Sequence, residues 1–204
     1  MLSRSPRESS GFIAVLSLMV VLLVSSLCWR DPELFGFLAA TPHHVFAEQQ
    51  YWRLITTIAV HADLQHVLSN AIFFTFFAYL LYGYFGFWMY PVSVAVFGAL
   101  INYCSLLTYP ANVQLVGASG VVYLMAGFWL TVYVLIERTR PPRKRLLQAV
   151  GIGLIVLIPT NLPPGVSHRT HAIGCALGIL AAVGYFQVRK DQIRALETVE
   201  IEAV

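Results

Sequence analysis

The chain has 204 residues, of which 58% are hydrophobic and only 11% charged, and its formal charge is +3. Soluble domains are about 45 to 50% apolar and about a quarter charged, so an ordinary water-facing surface is excluded, and with it a disordered chain, a secreted disulfide scaffold and a nucleic-acid binder. The cysteines, Cys28, Cys104 and Cys175, are odd in number, far apart and set in apolar sequence, which suits small core or lipid-facing residues rather than a paired framework.

In chain order, the first apolar run covers about 12–27 and follows Arg4 and Arg7. That layout resembles a signal peptide, but no small-residue cleavage site closes it, and it is read as a retained membrane helix. The segment 28–63 comes next, mixing charges and Pro42-His43-His44 with Trp29, Phe35, Phe37, Tyr51 and Trp52. Such rings are at home in a membrane interface, so an embedded or ordered outer loop is expected, with His43 and His44 in a solvated part of it.

Five further runs fall at about 64–82, 87–107, 118–136, 146–160 and 170–187. They are parted by Gly83-Tyr84-Phe85-Gly86, by the stretch after Thr108-Tyr109-Pro110, by the charged segment Glu137 to Arg145, and by a loop holding Asn161-Leu162-Pro163-Pro164-Gly165. An all-α protein with six membrane spans is therefore expected. Several runs are shorter than the roughly 20 residues that cross about 30 Å of hydrocarbon, which calls for short helices or a locally thinned bilayer.

Placing the amino terminus inside tests the count. Arg4, Arg7, Arg138, Arg140, Arg143, Lys144, Arg145, Arg189, Lys190 and Arg194 then lie inside, and only Arg30, Arg53 and Arg169 outside. This is the bias of the positive-inside rule, and an odd number of spans would weaken it. Both termini are expected in the cytoplasm.

Every carboxylate lies outside the apolar runs, so the polar residues that do enter them carry information. His66 and Asn70, four apart, share one face of the second span. Ser119 heads the fourth in Gly117-Ala118-Ser119-Gly120, and His171 heads the sixth. These three spans run in the same direction, which puts all four residues at one outer depth. A serine and a neutral imidazole brought together perform nucleophilic acyl transfer: the ring takes the hydroxyl proton during attack and returns it to the leaving amine. No carboxylate is at hand, so a dyad is implied, with the tautomer fixed by packing or by another hydrogen bond. His66, Asn70 and the Ser119 amide are donors suited to an oxyanion, and the glycines beside Ser119 permit a turn that exposes its hydroxyl.

Blander readings of the same residues exist. Single Ser and Asn residues in membrane helices commonly pack helices together, and Asn102 is read that way. His168 has a spacing that equally suits a base. His61, His66, His168 and His171 are a conceivable metal cluster, but His61 and His66 do not share a helical face and ligand spacing is otherwise missing. Gly174, Gly178 and Ala182 form a stripe of small residues that lets the sixth span approach a neighbour. If that neighbour is the fourth span, the stripe brings His171 to Ser119.

At this point the sequence resembles the rhomboid family of intramembrane serine proteases. The matching pieces are Trp52-Arg53, His66-Val67-Leu68-Ser69-Asn70, Gly117-Ala118-Ser119-Gly120-Val121-Val122-Tyr123, and His171 with Gly174 and Gly178, from about Tyr51 to Gln187. The resemblance implies a six-transmembrane-helix rhomboid-like bundle in one domain, with an outward-opening cavity and a first outer loop that is partly embedded. It also implies Ser119 as nucleophile, His171 rather than His168 as base, His66 and Asn70 with the Ser119 amide in the oxyanion hole, and Tyr123 packed on the His171 ring. Gly117, Gly120, Gly174 and Gly178 are supporting residues.

Three departures from the family stand out. Thr170 replaces a common alanine, a glutamate usual near the end of the second helix is missing from Tyr79 to Gly83, and no soluble extra domain is expected. Implied partners are single-pass or multi-pass membrane protein substrates and the bilayer, in a bacterial inner membrane, with no cofactor, metal or nucleic acid; the oligomeric state is left open. Alternatives are a catalytically silent rhomboid-like protein that binds membrane helices, a rhombosortase that processes carboxyl-terminal anchors, and a transporter, the last disfavoured by the lack of carboxylates in the spans.

Overall fold

The computed structural model describes residues 5–157 and 167–202, and among them the secondary structure is helical with a single isolated bridge between Ala40 and Leu115. Helix α1 (Ser10–Arg30) is a proline-free run of Leu, Val, Ile and Met. It stops where Asp31 turns extended and its carboxylate accepts the amides of Glu33 and Leu34, capping α2 (Pro32–Leu38). Pro32 fits that first turn because its missing N–H has no partner there anyway.

The rest of 28–63 is ordered short structure rather than plain loop: a π-helical turn at His43–Ala47, then α3 (Arg53–Thr56) running into a 3-10 turn at Thr57–Ala59. Long-range hydrogen bonds hold it. The buried Arg53 guanidinium donates to the carbonyls of Gly36 and Ala39 and to Gln50, and lies 5.7 Å from the Phe37 ring centroid. Asn102 donates to the Leu54 carbonyl at 2.8 Å. His43 is exposed and pairs with Glu48, while His44 meets the Thr41 hydroxyl.

Asp63 caps α4 (Leu64–Phe85) by accepting the His66 amide at 2.7 Å. After Gly86, a wide turn at Trp88–Ser93 containing Pro91 leads into α5 (Val94–Leu106). Helix α6 (Ser119–Ile136) is followed by α7 (Pro142–Leu157) and α8 (His168–Glu202). Among the described residues, five stretches are long and apolar enough to cross a membrane: α1, α4, the turn with α5, α6, and α8 as far as Ala195. The run at 146–160, expected to cross, falls in α7, which begins earlier, at Pro142, and is not among these five; the far end of the run lies outside the described residues with the loop Asn161 to Gly165.

Helix α6 is the most buried of these elements and is packed by α4, α5, α7 and α8, which is why it is apolar nearly all round. Phe12, Leu23, Ile72 and Phe76 on α1 and α4 point outward instead, as side chains against lipid do. Contacts fix the directions. Gly120 meets Thr170, His66 meets Gly117, and Phe85 meets Phe128 and Tyr185, so α4, α6 and α8 run in parallel. Ser10 beside Gly83 and Arg145 on the carbonyls of Val134 and Glu137 set α1 and α7 the other way, as Tyr90 beside Phe74 and Asn102 on Leu54 do for α5.

One end of the bundle consequently holds Arg7, Arg138, Arg140, Arg143, Lys144, Arg145, Arg189, Lys190 and Arg194, and the other Arg30, Arg53 and Arg169. Helix α8 runs well past the apolar limit at 187 because Arg189 to Glu197 are helix formers with no Gly or Pro among them. Hydropathy marks where lipid ends, not where a helix ends.

Candidate active site

The site begins with the contact between α6 and α8. A β-carbon at Gly174 would stand 2.3 Å from the Gly120 carbonyl oxygen, and one at Gly178 would stand 2.2 Å from that of Leu124. Only hydrogen fits at these places, so backbone touches backbone along two turns. From the α6 side, Gly127 meets the Cys175 carbonyl in the same way, and Ala182 is fully buried further down. In lipid, where apolar surface gains little by leaving the solvent, such close packing is what joins helices.

This register sets the first turn of α8 beside the first turn of α6. The His171 ring stacks on Tyr123, with centroids 4.0 Å apart and planes 11° from parallel. His171 is buried, and its Nδ1 has no hydrogen-bond partner among the described residues. His168 is exposed one turn earlier, its ring 6.3 Å from that of His171 and nearly perpendicular. The γ-methyl of Thr170 covers Gly120, and its hydroxyl bonds Ser167, which gives the departure from alanine a packing role.

Ser167 caps α8 by accepting the Thr170 amide at 3.1 Å. Its hydroxyl also meets that of Tyr109, and Arg169 donates to the Thr108 carbonyl at 2.9 Å. The segment after α5 thereby holds the start of α8.

The other wall is α4. Gly117 has φ of +111°, a conformation that disfavours any side chain, and a β-carbon there would stand 2.8 Å from the His66 ring. His66 therefore lies directly under the turn that presents Ser119. Asn70, buried one turn along α4, donates to the His66 carbonyl at 3.1 Å. Ser119 is half-buried and opens α6, where the first amides of a helix have no intrahelical carbonyl to reach. No hydrogen bond joins the Ser119 hydroxyl to His171 among the described residues. The four polar residues singled out above thus lie in the first two turns of α4 and the adjoining first turns of α6 and α8.

His61 was weighed above only as a conceivable metal ligand. It is fully buried between α1 and the turn before α6, with Nδ1 3.1 Å from the Ser25 hydroxyl and Nε2 accepting the Ala118 amide at 3.2 Å. Both ring nitrogens are thus engaged, and among the described residues no group of three His, Cys, Asp or Glu is placed to hold a metal. Burial, with the neighbouring His66 adding to it, pushes the His61 imidazole down to about 4. Ser25, Tyr109 and Ser167 also escaped notice, since each acts on a partner more than 30 residues away and leaves no local pattern.

The Rhomboid domain family matches residues 48–188, most of the chain and all four of these residues. The chain belongs to the rhomboid family. YdcA of Bacillus subtilis (strain 168), named provisionally as a rhomboid protease, is 30% identical over 171 residues, covering 83% of this chain and 81% of its own. Rhomboid protease GluP of the same organism is 26% identical over 179 residues, or 84% of this chain but 33% of its own, so the chain spans about a third of that relative's length. With its apolar helices, this rhomboid protein is an integral membrane protein of a protease family.

Proposed function

We propose that this rhomboid protein is an intramembrane serine endopeptidase that cuts transmembrane segments of single-pass or multi-pass membrane proteins with a Ser119–His171 dyad. The observation that carries the reading is the register of α6 on α8, which sets Ser119 and a buried, ring-stacked His171 on facing first turns. Because Nδ1 of His171 is walled off, Nε2 is the nitrogen that takes the serine proton, with the other proton resting on Nδ1. The Tyr123 ring takes over the orienting task that a carboxylate performs in a triad. Catalytic hydrogen bonds in an unliganded site commonly tighten only once substrate is bound.

A substrate helix must unwind locally to offer its carbonyl, since a helical peptide bond is hydrogen-bonded and shielded. Attack by Ser119 gives a tetrahedral oxyanion, which the free amides at the head of α6 and the side chains of His66 and Asn70 receive. One such donor contributes about 3 kcal/mol. Proton return from His171 releases the amine, and water hydrolyses the acyl-enzyme by the same route.

The basic residues gathered at one end of the bundle support a reading with six crossings and both termini in the cytoplasm. The site then opens at the outer face of what is proposed to be a bacterial inner membrane. Purified protein in liposomes is expected to cleave a fluorogenic transmembrane substrate and to be labelled by a fluorophosphonate at Ser119. Ser119→Ala and His171→Ala should each abolish both signals, and undiminished cleavage by either variant would refute the dyad.

A further inference from the structure

Ser25 lies fully buried on α1, far from Ser119 in sequence, yet it starts a chain of hydrogen bonds that ends one residue before that serine. Its hydroxyl donates to the Ala59 carbonyl at 2.9 Å. Having spent its proton there, Ser25 Oγ meets His61 Nδ1, 3.1 Å away, as an acceptor, so the proton of a neutral His61 sits on Nδ1. Nε2 is then a bare lone pair, and the Ala118 amide points at it from 3.2 Å. The opposite tautomer would set N–H against N–H in a place with no exposed surface, where water cannot make good the lost bond. One proton arrangement satisfies every member.

The same short segment is held on both sides of this bond. The Leu115 amide donates to the Ala40 carbonyl at 2.8 Å, the Thr57 hydroxyl donates to the Leu115 carbonyl, and the Gly117 amide donates to the Thr57 carbonyl at 3.1 Å. Of these contacts, the one on Ala118 is nearest to Ser119 and the only one made by a side chain to an amide. The His61 and His66 rings also meet edge to face at 4.9 Å, so His61 braces the ring that lies under Gly117.

We infer that His61 is a positioning residue for Ser119: as the Nδ1–H tautomer it bridges Ser25 to the Ala118 amide and fixes the turn from which the serine is presented. This rests on the serine protease reading above, and its test separates the two. His61→Gln retains an acceptor at the reach of Nε2 and loses the donor to Ser25; His61→Asn retains the donor and loses the acceptor. Each gives up one buried hydrogen bond, so a residue that merely stabilised the fold would show equal losses. Labelling of Ser119 by a fluorophosphonate is instead expected to stay within a few-fold of the parent in His61→Gln. In His61→Asn it should slow about tenfold, the factor that a bond worth roughly 1.4 kcal/mol implies, with kcat falling and KM unchanged.

Hydrogen exchange gives a readout free of activity: the Ala118 amide should stay protected in the parent and in His61→Gln, and open in His61→Asn. Equal labelling rates in the two variants, rates that track their Tm, or an Ala118 amide indifferent to the Asn substitution would overturn the inference. Should the parent itself not be labelled, the protease reading fails and takes the catalytic half of the inference with it, while exchange still decides whether His61 holds Ala118. If neither His61 variant folds, Ser25→Ala should slow labelling and Ser25→Thr restore it; identical rates would again overturn the assignment.

Discussion

Gly178 lies against the Leu124 carbonyl so tightly that a β-carbon would stand 2.2 Å from the oxygen and 2.9 Å from the Phe128 amide. Both obstacles are backbone of the central helix, which has no flexible end to yield. Gly178→Ala is therefore expected to push α8 away from α6, at a cost of 2 kcal/mol or more, at the upper side of the 1 to 3 kcal/mol usual for overpacking. Gly184, on the same helix with nothing within 4 Å, is the control. Gly184→Ala should leave Tm unchanged or raise it, since added helix propensity contributes up to about 1 kcal/mol of stability. Thermal unfolding in detergent measures both, and cleavage activity should vanish in Gly178→Ala alone.

Tyr123 and His171 stack face to face, and removing the ring leaves the imidazole free to turn. Tyr123→Ala should lower kcat by up to about tenfold, since an aromatic pair contributes about 0.5 to 1.5 kcal/mol beyond its burial and each 1.36 kcal/mol is a factor of ten. Tyr123→Phe keeps the ring and should lose distinctly less. Equal losses in the two variants would mean that the hydroxyl, rather than the stacked face, carries the role.

Much of this was legible in the sequence for a physical reason. His66 and Asn70 share a face because helical spacing dictates it, and Gly174 and Gly178 form a stripe for the same cause. Charge at the ends of apolar runs gives the directions of the helices, and hence which first turns adjoin. What the sequence hid is the work done between distant segments. Arg53 stands out as a charge and as part of Trp52-Arg53, but nothing in the sequence says that it is buried and spends its donors on carbonyls of Gly36 and Ala39. Nothing local couples Ser25 to His61 or Tyr109 to Ser167, and no periodicity turns 28–63 into α2, α3 and their intervening turns. Helix limits were equally hidden at α7 and α8, which begin or continue in polar sequence where propensity, not hydropathy, decides.

Asn102 on α5 donates to the Leu54 carbonyl at 2.8 Å and is buried, tying the first outer segment to the bundle. Asn102→Leu removes the donor and strands the carbonyl, which should cost about 1 to 3 kcal/mol. Hydrogen exchange is expected to rise across residues 50–60, next to that carbonyl, before it rises in α6. A uniform rise throughout the bundle would instead make Asn102 part of the global core.

His61 also predicts how the fold responds to acid. Burial holds its imidazole near 4 against an ordinary 6.5; His66 opposes its charge, and Asp63 and the Ala59 carbonyl favour it more weakly. Above 6.5, folded and unfolded chains both carry it neutral and stability is full. Between 6.5 and 4 the unfolded chain takes up a proton that the folded one refuses, so stability falls as pH falls, and below 4 the loss levels off. The window of about 2.5 pH units corresponds to on the order of 3 kcal/mol at 1.36 kcal/mol per unit. Tm followed from pH 7 to pH 4 should drop less steeply in His61→Gln, which has no such proton to refuse. A variant curve parallel to that of the parent would show that His61 does not carry the acid sensitivity. Once pH falls through about 4 the folded chain takes the proton as well, which puts a donor on Nε2 opposite the Ala118 amide, so labelling of Ser119 should fade around and below pH 4 in the parent more than in His61→Gln.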